Sequence, residues 1–181
     1  RDMYQVGDVI VYGKMGVCTV ESIDPDGSSG DSQELCYLLK PFYHNCSISI
    51  PVSNTTVFTR PALSREEAER LIEIIPSLQP TDCCDLTPQQ WAARYEECTA
   101  SHDCRDLIEL TMSIYRKKRL AEQQKRKLGA VEERYMRRAE GLLFGELAVA
   151  LDIPREEVQS YISSRVDQLV QQMDESEHPG G

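Results

Sequence analysis

Over the first sixty residues apolar and polar positions alternate in short runs, the period-two pattern of half-buried strands. YQVGDVIVYG (4–13) alternates through Val6, Val9 and Val11, with a Gly7-Asp8 turn near its start. GVCTVESID (16–24) sets Val17, Thr19 and Glu21 against Cys18, Val20 and Ser22. After a turn-rich PDGSSGDSQ loop (25–33) come ELCYLLKPF (34–42), a His44-Asn45 turn, CSISIPV (46–52) and TTVFT (55–59). Five short strands joined by tight turns predict a small SH3- or Tudor-like barrel or curled sheet. A sheet of that size makes a thin core and leans on a neighbouring domain or a partner.

After Arg60-Pro61 the period changes to that of helices. Ser64 followed by Glu67 forms a capping box, and Ala68, Leu71, Ile72 and Ile75 make an apolar stripe behind it. PSLQPTDCCDL (76–86), with prolines at 76 and 80, reads as a connector. Further helices are predicted over roughly 87–100, 104–128, 130–150 and 154–173. Leu107, Ile108, Met112 and Tyr115 line one of them, and Leu142, Leu143, Leu147 and Val149 belong to another. The fold class is therefore α+β: a small N-terminal Tudor/SH3-like β domain (1–60), an all-α helical domain (61–175) and a disordered tail (176–181) within DESEHPGG. No internal repeat is evident.

The only tryptophan stands in LTPQQWAARYEE (86–97). Thr87 suits a helix N-cap, Pro88 the first helical position and Gln90 the third, so the segment starts a helix through a capping box. Leu86 and Trp91 then occupy the positions of a hydrophobic staple, and Trp91, Tyr95 and Cys98 share a face. On this local pattern Trp91 is a packed structural residue.

Composition narrows the class. The chain has 181 residues, 40% hydrophobic and 28% charged, as expected of a soluble protein of one or two domains. It contains no apolar run near the roughly eighteen residues of a membrane helix, and Arg1-Asp2-Met3 does not open a signal peptide, so neither a membrane nor export is expected. Seven irregularly spaced cysteines, two of them (Cys18 and Cys36) in apolar strand-like runs, suit a reducing cytoplasm rather than a disulfide framework. Net charge is −10, which argues against a general nucleic-acid binder, but it is unevenly spread. Between Arg116 and Arg138 stand ten cations (Arg116, Lys117, Lys118, Arg119, Lys125, Arg126, Lys127, Arg134, Arg137 and Arg138) against Glu122, Glu132 and Glu133. This local +7 leaves −17 on the rest of the chain. A charge run is commonly a solvated helix face; an excess this large beside Tyr115 and Tyr135 points to phosphate contact.

MYQVGDVIVYGKMGVCTVESI (3–23), with its Val6-Gly7-Asp8 turn and Val9-Ile10-Val11-Tyr12 strand, resembles the opening of the CarD/CdnL family of bacterial transcription regulators. The same module occurs as the polymerase-interacting domain of transcription-repair coupling factor, but no helicase motif follows here. YLLKP (37–41) and SIPV (49–52) fit the pattern, as do WAARYEE, LIELTMSIYRKKRL and FGELAVAL (144–151), in the order of the family's helical domain. The resemblance implies a monomeric cytoplasmic bridge. Its β domain would dock on the RNA polymerase β subunit through Ile48, Ser49, Ile50 and Pro51. Its helical domain would lie on promoter DNA at the upstream edge of the melted bubble. Trp91 would wedge into the minor groove, with Arg94, Tyr95 and the ten cations alongside. Such a contact reads DNA shape more than sequence.

The chain departs from the family pattern at three places. Ala93-Arg94-Tyr95-Glu96 carries one cation where a basic pair before the tyrosine and a basic residue after it are expected. Ser49 stands where some members have an arginine, and Asp24 and Asp26 make the loop after Ile23 acidic. Cys83, Cys84, Cys98, His102 and Cys104 lack zinc-knuckle spacing, so no metal is expected. FGELAVALDIPREEVQSYISSRV (144–166) has helix-turn-helix spacing, but Arg155-Glu156-Glu157 would turn carboxylates toward phosphates; two packed helices is the better reading. No catalytic constellation or cofactor motif appears, and an enzyme is not expected. The remaining alternatives are an interaction module that binds no DNA and a helix-turn-helix repressor.

Overall fold

The computed structural model describes residues 3–25, 34–78 and 86–177, and the chain divides into two compact units after Leu63. In the first unit, β1 (Val9–Tyr12), β2 (Gly16–Pro25), β3 (Leu35–Pro41), β4 (Ile48–Pro51) and β5 (Thr59–Pro61) form one antiparallel sheet in the order β4-β3-β2-β1-β5. The long strand β2 serves both halves, pairing with β1 through Gly16–Thr19 and with β3 from Cys18 onward. A register shift between Val20 and Ser22 bends it between the two, as a β-bulge does. Ile10, Cys18, Val20, Tyr37, Leu39 and Ile50 form the core. Burial pushes the Cys18 thiol up to about 11, so it behaves as a small hydrophobe.

Two details differ from the sequence reading. In β1 the sheet core takes Ile10 (1% exposed), on the opposite face from Val9 and Val11; Val11 is itself buried, while Val6 is 62% exposed. The cause is a turn at Gly7 (φ +93), whose N–H donates to the Val20 carbonyl at 2.8 Å and leaves Val6 outside the strand. In TTVFT, Thr55–Phe58 is a turn instead of a strand, because the Asn54 side chain accepts from the N–H groups of Thr56 and Val57. β5 starts only at Thr59 and reaches Pro61, whose missing N–H is tolerated at an edge. Gly13 lets the chain enter beside this turn: at φ +46 a Cβ there would lie 2.8 Å from Val57 Cγ1.

The second unit is helical: α1 (Arg65–Glu73), α2 (Pro88–Ala100), α3 (Cys104–Gln123), α4 (Ala130–Leu151) and α5 (Val158–Glu177). Both expected capping boxes are present, Ser64 with Glu67 and Thr87 with Gln90. Helix α4 is central, packing on α1, α2, α3 and α5 and burying Tyr135, Ala139, Leu143, Leu147, Ala148 and Leu151. It ends at Asp152 in the left-handed conformation, and its last carbonyl, Leu151, accepts from Arg65 at 2.7 Å. α5 lies on α1 through Tyr161 donating to Glu69 and through Arg165 with Glu73 at 3.5 Å. Arg155–Glu157 is a single 3-10 turn leading into α5. Ser176 and Glu177, expected in a disordered tail, continue α5; the residues after them, the PDGSSGDSQ loop after Pro25 and Cys83 and Cys84 lie outside the described residues. No described helix is long and apolar enough to cross a membrane.

Candidate functional site

Among the described residues strand β4 is an edge, paired only with β3. Pro51 has no N–H, so its pairing with Cys36 is a non-hydrogen-bonded one, and Val52 N–H donating to Leu35 at 2.9 Å sets the same alternation. Ile48 and Ile50 therefore bond to β3, while the N–H and carbonyl of Ser49 point off the sheet. The exposed side of this edge consists of Ser49 and Pro51 with half-buried Ile48. Ile50, expected as a docking residue, belongs with its side chain to the core. An edge with a free donor and acceptor is what strand addition from a partner requires.

In the helical unit the cations gather around the α3–α4 connection. Of the ten, Arg116, Arg119, Lys125, Arg126, Lys127, Arg134, Arg137 and Arg138 are exposed, and Lys117 and Lys118 are half-buried. The turn is well formed. Lys125 takes a left-handed conformation (φ 57), and the Arg126 N–H closes on the Ala121 carbonyl at 2.7 Å. Buried Leu128 then pins the connection down. The turn thus presents Lys125, Arg126 and Lys127 on an ordered backbone.

Trp91 is packed, as its local capping pattern indicates. It is 0% exposed, on the face of α2 that carries Tyr95 and Cys98. Tyr95 is 6% exposed and stacks on Tyr135 of α4 with centroids 4.7 Å apart, an aromatic pair inside the helix packing. Burial raises the Tyr95 phenol, against the lowering influence of the Arg138 charge. Arg94 is half-buried. The reason for all three is tertiary: α2 packs on both α3 and α4, so its apolar face is covered.

Lys117 is likewise withdrawn from the patch. Its ammonium sits 5.2 Å from the centroid of the Trp91 ring and donates to Glu132 Oε1 at 2.7 Å. Burial would raise the Glu132 carboxyl, but the Lys117 hydrogen bond, its own backbone N–H and the lysine charge hold it below the ordinary 4.5. A Cβ at residue 129 would lie 2.3 Å from Glu132 Oε2, so Gly129 leaves the room this carboxylate occupies. The indole Nε1–H, fully buried, has no acceptor among the described residues, an arrangement that costs about 1–3 kcal/mol. The lysine–ring contact returns about 0.5–2 kcal/mol.

A depressed carboxyl contributes stability above its unfolded value, and that contribution disappears as pH falls through the lower folded value. The wild-type melting temperature should therefore drop on acidification below about 4.5. Glu132→Gln should melt lower at neutral pH and show a flatter acid limb in a thermal series over pH.

The profile of the CarD-like/TRCF RID domain matches residues 4–62, and that of the CarD C-terminal domain matches residues 75–163. The chain belongs to the CarD-like family. This CarD-like protein is thus an RNA polymerase-interacting transcription factor, built from domains that belong to non-enzymatic factors. The two matches fall on the sheet with its open β4 edge and on the helices that carry the cations. Sequence reading missed the Lys117–Glu132 pair, whose members lie fifteen positions apart on different helices, a spacing without a local signature. It also missed Cys104 donating to buried Glu146 at 3.0 Å across α3 and α4, which gives that carboxylate a partner inside the core.

Proposed function

We propose that this protein docks on the polymerase β subunit by adding a strand to β4, and that the α3–α4 cations then grip promoter DNA at the upstream bubble edge and prolong the open complex. The observation that carries the reading is the cationic turn: eight exposed Lys and Arg side chains gathered in a chain of net charge −10. Such a surface is held to DNA by phosphates and favours shape over sequence. Ser49 brings no charge to the dock, so main-chain pairing at its N–H and carbonyl supplies the contact. In this reading Trp91 reaches the minor groove only after leaving its buried position, entering where the strands are already parting and unstacking is least costly.

The test is salt-dependent binding of a polymerase complex to forked promoter DNA. Replacing Lys125, Arg126 and Lys127 by Gln should weaken binding equally across promoter sequences. It should also flatten the plot of log affinity against log salt by about 0.9 for each phosphate no longer neutralised. An unchanged slope would favour the module that binds no DNA.

A further inference from the structure

The Trp91 indole sits in the helix packing with its one polar group unsatisfied, so hydrogen bonding contributes nothing to holding it there. Packing and Lys117 hold it. The Lys117 side chain is 21% exposed, enough to be reached from solvent, and its ammonium is shared between the Glu132 carboxylate and the indole face. The same lysine belongs to the cationic run, between exposed Arg116 and half-buried Lys118. A phosphate drawn to that run arrives beside an ammonium held by the Glu132 carboxylate, and it can compete with that carboxylate for the charge.

We propose that Lys117 and Glu132 form a latch on Trp91: paired with Glu132, Lys117 keeps the indole inside, and a DNA phosphate that draws the ammonium away from Glu132 frees it. This rests on the reading of Trp91 as a DNA contact. Lys117 and Glu132 are then positioning residues, which couple arrival of the backbone to delivery of the wedge. The isolated protein keeps its large apolar side chain covered, and water or DNA satisfies the indole N–H once it emerges. Glu132 is set for the task by Gly129, which leaves space for the carboxylate at the start of α4.

Because the chain has one tryptophan, its emission and its quenching by acrylamide report the latch directly. The wild-type protein should emit at short wavelength and resist quenching, and forked duplex DNA should change that emission as the ring leaves the helix packing and enters the groove. Lys117→Met keeps an apolar stem over the ring but forms no ion pair; it should raise quenching without DNA, moving the open-to-closed ratio about tenfold. Lys117→Arg, which retains the charge, should behave as wild type. Glu132→Gln, close in shape to the native side chain, should raise quenching partway, and it replaces Lys117→Met if far-UV circular dichroism shows that variant unfolded. Wild-type quenching in the folded lysine or glutamate variant overturns the latch. If that result accompanies a shortened open complex in Trp91→Ala, the DNA reading of Trp91 stands without the latch. If the latch variants expose the indole and Trp91→Ala leaves open-complex lifetime unchanged, the latch holds and the DNA reading fails.

Discussion

Ser49→Pro should weaken binding to the isolated polymerase β subunit by about a hundredfold, the scale set by deleting a ladder donor and placing a pyrrolidine ring against an incoming strand. The substitution is selective because of the register. Ser49 faces Leu38 as a non-hydrogen-bonded pair, so its N–H takes no part in the β3–β4 ladder. Proline there removes an outward donor without breaking an inward one, and an edge strand accommodates it. The β unit should consequently keep its melting temperature to within the effect of about 1 kcal/mol. Ser49→Ala, which preserves the main chain, should bind as wild type. Calorimetric titration of both variants checks the pair; proline binding at wild-type strength would move the dock away from this edge.

Trp91→Ala should lower the unfolding free energy of the protein by about 3–5 kcal/mol, the cost of emptying a fully buried aromatic site. Relief of the unsatisfied Nε1–H offsets a part of this, and removal of the ring from beneath Lys117 adds to it. Trp91→Phe, which fills most of the space and has no N–H to satisfy, should cost less than half as much. Denaturant unfolding followed by far-UV circular dichroism measures both variants, since the fluorophore is gone. The functional comparison must be made where Trp91→Ala remains folded. There it should shorten the open complex about tenfold or more, because a wedge that stabilises parted strands acts on the scale of a few kcal/mol. A stability loss near zero would show that the indole is not packed in solution.

Much of the architecture was legible without coordinates. The change from period two to period 3.6 near Arg60-Pro61 precedes the division after Leu63, and the starts of α1 and α2 fall where Ser64-Glu67 and Thr87-Gln90 place them. These signals are local: a capping box closes within four residues, and its chemistry is complete on the chain itself. Misreadings occurred where a side-chain capture or a turn interrupted the alternation that the pattern of apolar positions suggests. Asn54 captured the N–H groups that would have paired TTVFT, and the Gly7 turn removed Val6 from the alternation.

The candidate site divides in the same way. The ten cations and the family resemblance were readable, because charge and motif order are properties of the chain. The local capping pattern around Trp91 also pointed to a packed residue, and the indole is indeed packed; the resemblance implied a wedge without fixing how far the ring is exposed. Sequence by itself determined that Trp91 stands near the start of a helix and shares a face with Tyr95 and Cys98, and that positive charge gathers between 116 and 138. Only the tertiary structure decided that α3 and α4 cover that face, that Glu132 takes Lys117 out of the patch, and that Ser49 holds the open edge of the sheet. Helical period tells which residues point the same way, but what lies opposite them depends on how separate elements pack, and no repeat along one chain encodes that.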